Sequence, residues 1–139
     1  MHAEIVDKFF EAMTNRDVDT ALSFMHENCV NTDTGTGQVM TGLAENRADM
    51  ENWLTTFSDM KVEVVSHVES GAMVATEMKM SAVNTGDMEM PDGSKIPATG
   101  KSIQMTGCQI AHFEGDKMVK TTMYYNMMAM MSQLGLVPS

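Results

Sequence analysis

The chain has 139 residues and a net charge of −10, and these two values limit both its size and its partners. A chain of this length can build one hydrophobic core and is too short for two ordinary domains. We therefore interpret residues 1–139 as a single domain. The acidic balance argues against nucleic acid and anionic membrane surfaces as partners, because phosphate groups repel an acidic protein face.

The start of the chain and its cysteines bear on location and cofactors. The opening "MHAEIVDKFFEAM" lacks the basic head and small-residue cleavage site of a signal peptide, and no apolar run is long enough to span a membrane. We therefore expect a cytoplasmic protein whose Cys29 and Cys108 are reduced, buried thiols. No two histidines have a metal-ligand spacing on one helix or strand, so neither a metal nor another cofactor is predicted.

Methionine is the compositional anomaly, with 18 copies. Groups such as "MKM", "MEM" and "MMAMM" could supply thioether ligands to a soft ion such as Cu(I). Leu and Ile are scarce, however, which favours the interpretation that methionine fills the core in their place. Flexible thioethers also suit a cavity that adapts to an irregular apolar ligand.

The first part of the chain predicts three helices. Apolar residues recur at helical spacing in "EIVDKFFEAM", and "DVDTALSFMHENC" predicts a short second helix capped by Asp17 or Asp19. The next segment, "VNTDTGTGQVMTG", is typical of a short strand and a tight turn. Residues 44–57 predict a third helix with one buried face, formed by Met50, Trp53, Leu54 and Phe57.

Beyond the third helix the pattern changes to the alternation and β-branching of strands. Four long strands are predicted in "MKVEVVSHVES", "AMVATEMKMSAV", "KSIQMTGCQIAHF" and "KMVKTTMYYN". Helices followed by a meander of strands indicate an α+β domain. We expect a strongly curved antiparallel sheet, with the three N-terminal helices covering one face and enclosing a cone-shaped pocket.

Four segments of the chain share one resemblance, and they are "TGLAENRADMENWLTTFSDMKVEVV", "PATGKSIQMTG", "IAHFEGDKMV" and "YYNMMAMMSQLGL". They resemble the SnoaL-like polyketide cyclases of the NTF2-like superfamily, and the resemblance covers nearly the whole chain. It implies a cone-shaped α+β barrel, usually dimeric, whose pocket in the cyclases holds a polyketide and closes a ring by an intramolecular aldol reaction. It also implies that the residue at the family's acid/base position lies near the end of the last strand.

The resemblance points to Asn126 as a departure from the cyclase pattern. The cyclases carry "YYD" a few residues before "QLG", and their Asp is the acid/base, whereas this chain reads "YYN". Asparagine cannot transfer a proton, but its NH₂ group could donate a hydrogen bond to a developing oxyanion. The alternative is that the Asn126 side chain only caps the backbone at the end of the strand. By the same alignment, Gln109 stands where cyclases often have His, and Asn84 stands in "VNTG" where relatives often have "THTG".

Asp33, in "VNTDTGTG", is the strongest titratable candidate. It aligns with the proton-shuttling Asp of the ketosteroid isomerases, which belong to the same superfamily. The alternative is an Asx turn, in which the Asp33 side chain bonds to the backbone of Gly35. His67 and Glu77 lie on predicted strands and could pair with Asp33, although exposed strand residues are the commoner outcome.

Other residues are candidates for ligand contact. Trp53 lies on the inner face of the third helix, where core packing is the alternative to ligand contact. Tyr124 shares strand parity with Asn126, so both should face the same side. If that side is the pocket, they form the polar end of an otherwise apolar cavity, lined by methionines such as Met78 and Met105.

Two functions therefore stay open, in addition to the binding of a soft metal ion by the methionines. The first is a cyclase- or isomerase-like enzyme that transfers protons on a small, largely apolar carbonyl compound. The second is a non-catalytic protein that binds a hydrophobic metabolite, because the expected acid/base is Asn126. In either case we expect a small apolar ligand and a homodimer formed through the convex face of the sheet.

Overall fold

The structure is a computed structural model, and it describes residues 1–90 and 92–137. It is an α+β fold in which helices pack on one large sheet, as the sequence predicts. The helices are α1 (His2–Thr14), α2 (Val18–Ser23), α3 (Gly42–Thr56) and α4 (Met127–Gln133). The strands are β1 (Met25–Asp33), β2 (Val39–Thr41), β3 (Phe57–Ser70), β4 (Met73–Asn84), β5 (Met88–Glu89), β6 (Lys95–Ile96), β7 (Ser102–Glu114) and β8 (Lys117–Tyr125).

The main sheet has six strands in the order β2-β1-β8-β7-β4-β3. The four long strands predicted from the alternating pattern are β3, β4, β7 and β8, and each pairs antiparallel with the next. The antiparallel arrangement expected for these four strands is therefore present, and in addition β1 pairs with β8 in parallel. This pairing brings the end of β1 beside the end of β8, since Asp33 lies opposite Met123.

The second helix is shorter than the sequence predicts. Asp17 caps α2, as expected, because its Oδ1 accepts a 3.1 Å hydrogen bond from the backbone N–H of Thr20. The helix ends at Ser23, however, and β1 begins at Met25. Pairing of β1 with β2 and β8 takes this segment into the sheet, so tertiary contacts override the local helical spacing.

Helices α1 and α3 bury apolar faces against the sheet and form one wall of the interior. In α1 the buried residues include Val6, Phe9 and Phe10. Helix α3 begins after Thr41, whose backbone N–H donates a 3.1 Å hydrogen bond to the side chain of Glu45 in the first turn. Trp53 faces the interior and stacks on Phe57, with ring centroids 5.4 Å apart. The predicted inward orientation of Trp53 is therefore confirmed.

A fourth helix, α4, follows the last strand and was not predicted. Its core contribution comes from Met130 and from Leu134 just beyond its end, both 1% exposed. The side chain of Gln133 makes two hydrogen bonds to the backbone of Gln104, where β7 extends past the end of β8. Within the described residues, no helix has both the length and the apolar character needed to cross a membrane.

Candidate active site

A cavity of about 150 Å³ lies between the sheet and helices α1 and α3. Its walls are largely apolar, with Phe9, Phe10 and Trp53 contributed by the helices. Methionines make up most of the other apolar lining residues. Part of the methionine excess of the chain is therefore found at this cavity. The lining methionines are Met13, Met25, Met50, Met60, Met78, Met80, Met105 and Met123, which include the predicted Met78 and Met105.

One end of this cavity is polar and contains two carboxyl groups and a phenol. Asp33 ends β1 and is 6% exposed, Asp49 is on α3, and Tyr125 ends β8. The Oδ1 atom of Asp33 accepts hydrogen bonds from the backbone N–H groups of Gly35 (2.9 Å) and Thr36 (3.0 Å). This is the Asx turn that the sequence offered as the alternative for Asp33. The Oδ2 atom of Asp33 accepts a 3.1 Å hydrogen bond from the Tyr125 hydroxyl.

The pKa values of two groups at the polar end depart from their ordinary values. Burial, followed by the charge of Asp33, raises the pKa of the Asp49 carboxyl from 3.8 to about 6. Burial also raises the pKa of the Tyr125 hydroxyl, with Asp33 and Asp49 adding to the effect, so this phenol remains a proton donor. A carboxyl group that titrates near neutral pH can both accept and return a proton.

Gln109 and a Thr–Asn pair complete the polar surface. The hydroxyl of Thr121 donates to Oδ1 of Asn31 at 2.8 Å, across the parallel β1–β8 pair. Gln109, on β7, is 4% exposed and lines the cavity as predicted. Its Oε1 has no hydrogen-bond partner among the described residues. A buried amide oxygen without a partner is costly, which makes it a candidate contact for a ligand.

Trp53 is the aromatic side chain of α3 at the cavity. Its ring stands edge-on to the ring of Tyr125, with centroids 6.2 Å apart and an interplanar angle of 76°. Trp53 belongs to the apolar wall and Tyr125 to the polar end, so these two parts of the cavity are in direct contact. A ligand in the cavity would therefore meet the Trp53 ring and the polar groups together.

The expected orientation of Asn126 toward the cavity is wrong. Asn126 is exposed and caps α4, where its Oδ1 accepts a 3.0 Å hydrogen bond from the backbone N–H of Ala129. It lies instead in an outer groove with Lys61 and Lys79. Tyr124 is 48% exposed and also faces outward. Tyr124 and Asn126 do lie on the same side, as their strand parity predicts. Tyr125, between them in the sequence, faces the cavity instead.

The structure places three other candidates outside the cavity. Asn84 is fully buried, and its side chain bonds to the backbone of Thr56, Gly86 and Thr99, so it fastens the end of β4 to neighbouring segments. His67 bonds to Thr76 and to Asp7 on α1. Glu77 is exposed on the outer face of the sheet. Neither His67 nor Glu77 can pair with Asp33 in this arrangement.

Sequence reasoning missed Asp49 and Tyr125. A signal for Asp49 was present, since it lies next to Met50 and four residues before Trp53, on the face of α3 already predicted to be buried. Tyr125 required the strand register, because a shift of one residue exchanges the two faces. The described part of the chain holds no cluster of His, Cys, Asp and Glu suited to a metal ion.

Three solved structures have the same fold at low sequence identity. A protein of Jannaschia sp. CCS1, provisionally described as a SnoaL-like polyketide cyclase, superposes with a TM-score of 0.84 at 14% identity, over 99% of this chain and 93% of that one. IdmH of Streptomyces antibioticus, provisionally described as a polyketide cyclase, gives 0.80 at 20% identity, covering 97% and 99%. A protein of Catenulispora acidiphila with a ketosteroid isomerase-like fold, in complex with trimethylamine, gives 0.81 at 16% identity, covering 96% and 94%.

Comparison with curated proteins and with protein families completes the assignment. No curated protein matches the chain. The family model for SnoaL-like polyketide cyclases matches residues 3–134, which is nearly the full length. The chain belongs to the SnoaL-like polyketide cyclase family.

Proposed function

We propose that the cavity binds a small, largely apolar carbonyl compound and that Asp49 transfers protons on it, in a reaction of the aldol or isomerase kind. The observation that carries this proposal is the grouping of Asp33, Asp49 and Tyr125 at one end of a methionine-lined cavity. Family membership supports the same class of chemistry.

The hydrogen bonds assign different roles to the two carboxyl groups. Both oxygens of Asp33 already accept hydrogen bonds from the protein, so Asp33 acts by its charge, which helps to raise the pKa of Asp49. Asp49 takes the proton from the carbon next to the ligand carbonyl, and the C–H electron pair moves into the enolate. Return of that proton to another carbon completes an isomerisation. In an aldol closure the enolate carbon bonds to a second carbonyl carbon, the C=O π pair moves to its oxygen, and the resulting alkoxide takes the proton back from Asp49.

Gln109 is the candidate for stabilising the enolate oxygen. Its side chain is buried at the cavity wall, and its NH₂ group can donate to a developing oxyanion. Such a donor acts most strongly where water is excluded. Gln109 thus takes the role that the sequence analysis assigned to Asn126.

Exchange of carbon-bound hydrogen with deuterated solvent tests the proposal. A panel of cyclic and linear 1,3-diketones is incubated with the protein in D₂O, and deuterium incorporation is followed by NMR. We expect Asp49→Asn to lower the enzyme-dependent rate by about 100-fold or more. Glu51→Gln is the control, because Glu51 is exposed on the same helix and pairs with Arg47. Equal rates for Asp49→Asn and the wild type would refute the role of Asp49.

The second candidate function is non-catalytic binding of a hydrophobic metabolite. It is favoured by the identity of Asn126, because the family's acid/base position holds an exposed helix cap in this chain. A binder would retain a small molecule through purification, detectable by mass spectrometry, without accelerating exchange for any diketone. Accelerated exchange that depends on Asp49 would exclude this candidate.

We also propose that the protein is a homodimer formed through the outer face of the sheet. Val68, Ala75 and Ile110 are register partners that form a row across β3, β4 and β7 on this face. Val68 is 70% exposed in the single chain, and Tyr124, on β8 of the same face, is 48% exposed. Apolar side chains exposed together on a sheet face favour burial in an interface.

A further inference from the structure

The polar end of the cavity has negative charge without a balancing positive side chain. Asp33 and Asp49 both line it, and of the described lining residues none is Lys, Arg or His. Apolar walls of Met, Phe and Trp surround the two carboxyl groups. A buried charge with no partner of opposite sign is strongly unfavourable, and a positive group between the walls would relieve it.

The hydrogen-bonding groups of the protein also leave acceptors free at this end. The Tyr125 hydroxyl is used by Asp33, and the Thr121 hydroxyl is used by Asn31. Neither hydroxyl is therefore available to Asp49 or to Gln109. Gln109 is only 4% exposed, and its Oε1 atom has no hydrogen-bond partner among the described residues. A ligand that donates hydrogen bonds would satisfy it.

The aromatic wall favours a cation as well. The indole of Trp53 lies beside the polar end, edge-on to Tyr125. A cation over an aromatic face is attracted by the ring quadrupole, and the attraction is strongest for Trp and for a desolvated site. Charge, acceptor capacity and aromatic surface thus all indicate the same kind of group.

We propose that the ligand of this cavity carries a protonated amine, which pairs with Asp49, is attracted also by the charge of Asp33, and donates an N–H to Oε1 of Gln109. This inference rests on the proposed function in that it concerns the same cavity and ligand. The ligand is then an amino-substituted carbonyl compound with an apolar body. A carboxylate on the same body is excluded by repulsion from Asp33 and Asp49.

Four probes with one apolar body separate charge from shape. They are cyclohexylmethylamine, its trimethylammonium analogue, cyclohexylmethanol and cyclohexanecarboxylate. Binding is measured by calorimetry at about pH 8, where the amine is protonated and the acid is ionised, and by the fluorescence of Trp53, the single tryptophan of the chain. We expect the amine to bind at least about tenfold more tightly than the alcohol, and the carboxylate to bind more weakly than the alcohol.

Variants assign the preference to the named residues. Asp49→Asn should weaken amine binding about tenfold and leave alcohol binding nearly unchanged, whereas the control Glu51→Gln should alter neither. The trimethylammonium probe has no N–H, so the amine should bind more tightly than this probe in the wild type. Gln109→Leu should abolish that difference, and Gln104→Leu, on the outer side of the same strand, should preserve it.

The outcomes distinguish this inference from the proposed catalysis. Alcohol binding as tight as amine binding, absence of measurable amine binding, or equal losses for amine and alcohol in Asp49→Asn would each overturn the inference. Amine preference without diketone exchange would support the inference and contradict the proton-transfer function. Diketone exchange without a preference for the amine would contradict the inference and support the proton-transfer function.

Discussion

The hydroxyl of Tyr125 donates a 3.1 Å hydrogen bond to Oδ2 of Asp33, which joins the end of β8 to the end of β1 inside the cavity. Together with the two backbone N–H groups on Oδ1, this bond satisfies both oxygens of a carboxyl group that is 6% exposed. The parallel β1–β8 pairing makes the contact possible, because it brings the two strand ends to the same edge of the cavity. The contact therefore leaves Asp49 as the carboxyl group available to a ligand.

Removing this hydroxyl should cost stability. In Tyr125→Phe, Oδ2 of Asp33 loses its donor in a buried site, and we expect the free energy of unfolding to fall by about 1–3 kcal/mol. Urea denaturation measures the change. Tyr124→Phe removes the same atom from an exposed side chain on the same strand and should have little effect. Equal effects of the two substitutions would show that the Tyr125–Asp33 bond contributes no net stability.

The stability of the protein should depend on pH through Asp49. Its pKa is raised from 3.8 to about 6 in the folded protein, so the folded state holds this proton more tightly than the unfolded state does. The contribution of Asp49 to the free energy of unfolding is therefore greatest below about pH 4, decreases as pH rises, and is fully lost above about pH 6.

Asp49→Asn should remove this dependence. At neutral pH the variant should be more stable than the wild type by about 1–3 kcal/mol, since the cost of burying the charge is gone. Urea denaturation across the acidic to neutral range measures it. Asp116→Asn, in the exposed turn between β7 and β8, is the control and should keep the wild-type profile. A wild-type profile in Asp49→Asn would contradict the raised pKa.

Asn126 should behave as a helix cap and not as an active-site residue. Asn126→Ala removes the acceptor for the N–H of Ala129, and we expect a loss of about 0.5–2 kcal/mol in the free energy of unfolding. Asn126→Asp keeps an acceptor at the cap and should retain most of the stability. Neither substitution should change diketone exchange. A gain of exchange activity in Asn126→Asp would instead restore the family's proton shuttle to this position.

The outer face of the sheet should determine the oligomeric state. In Val68→Asp a charge replaces an exposed apolar side chain of the proposed interface, and we expect a dimeric wild type to become monomeric. Size-exclusion chromatography with light scattering measures the mass. Val39→Asp is the control, because Val39 is also exposed, at 55%, but lies on β2 at the far edge of the sheet. A monomeric wild type at all concentrations would refute the dimer.

The sequence by itself determined the elements whose hydrophobic pattern is long and regular. The amphipathic spacing of α1 and α3 and the alternation of β3, β4, β7 and β8 identified the fold class and the inward face of Trp53. Asp33 was identified both as a candidate and as the residue of an Asx turn, because the signal for that turn is local. Local residue patterns carry this information because it depends on positions only a few residues apart.

The tertiary structure alone decided where β1 begins and which tyrosine faces the cavity. Residues after Ser23 leave the helical pattern because β2 and β8 pair with them, and these partners are distant in sequence. The choice between Tyr124 and Tyr125 depends on a register of one residue, which no local pattern at the end of β8 specifies. Asp49 belongs to the candidate site only because α3 packs over the end of β1. Its raised pKa results from burial and from the charge of Asp33, which lies sixteen positions earlier in the sequence.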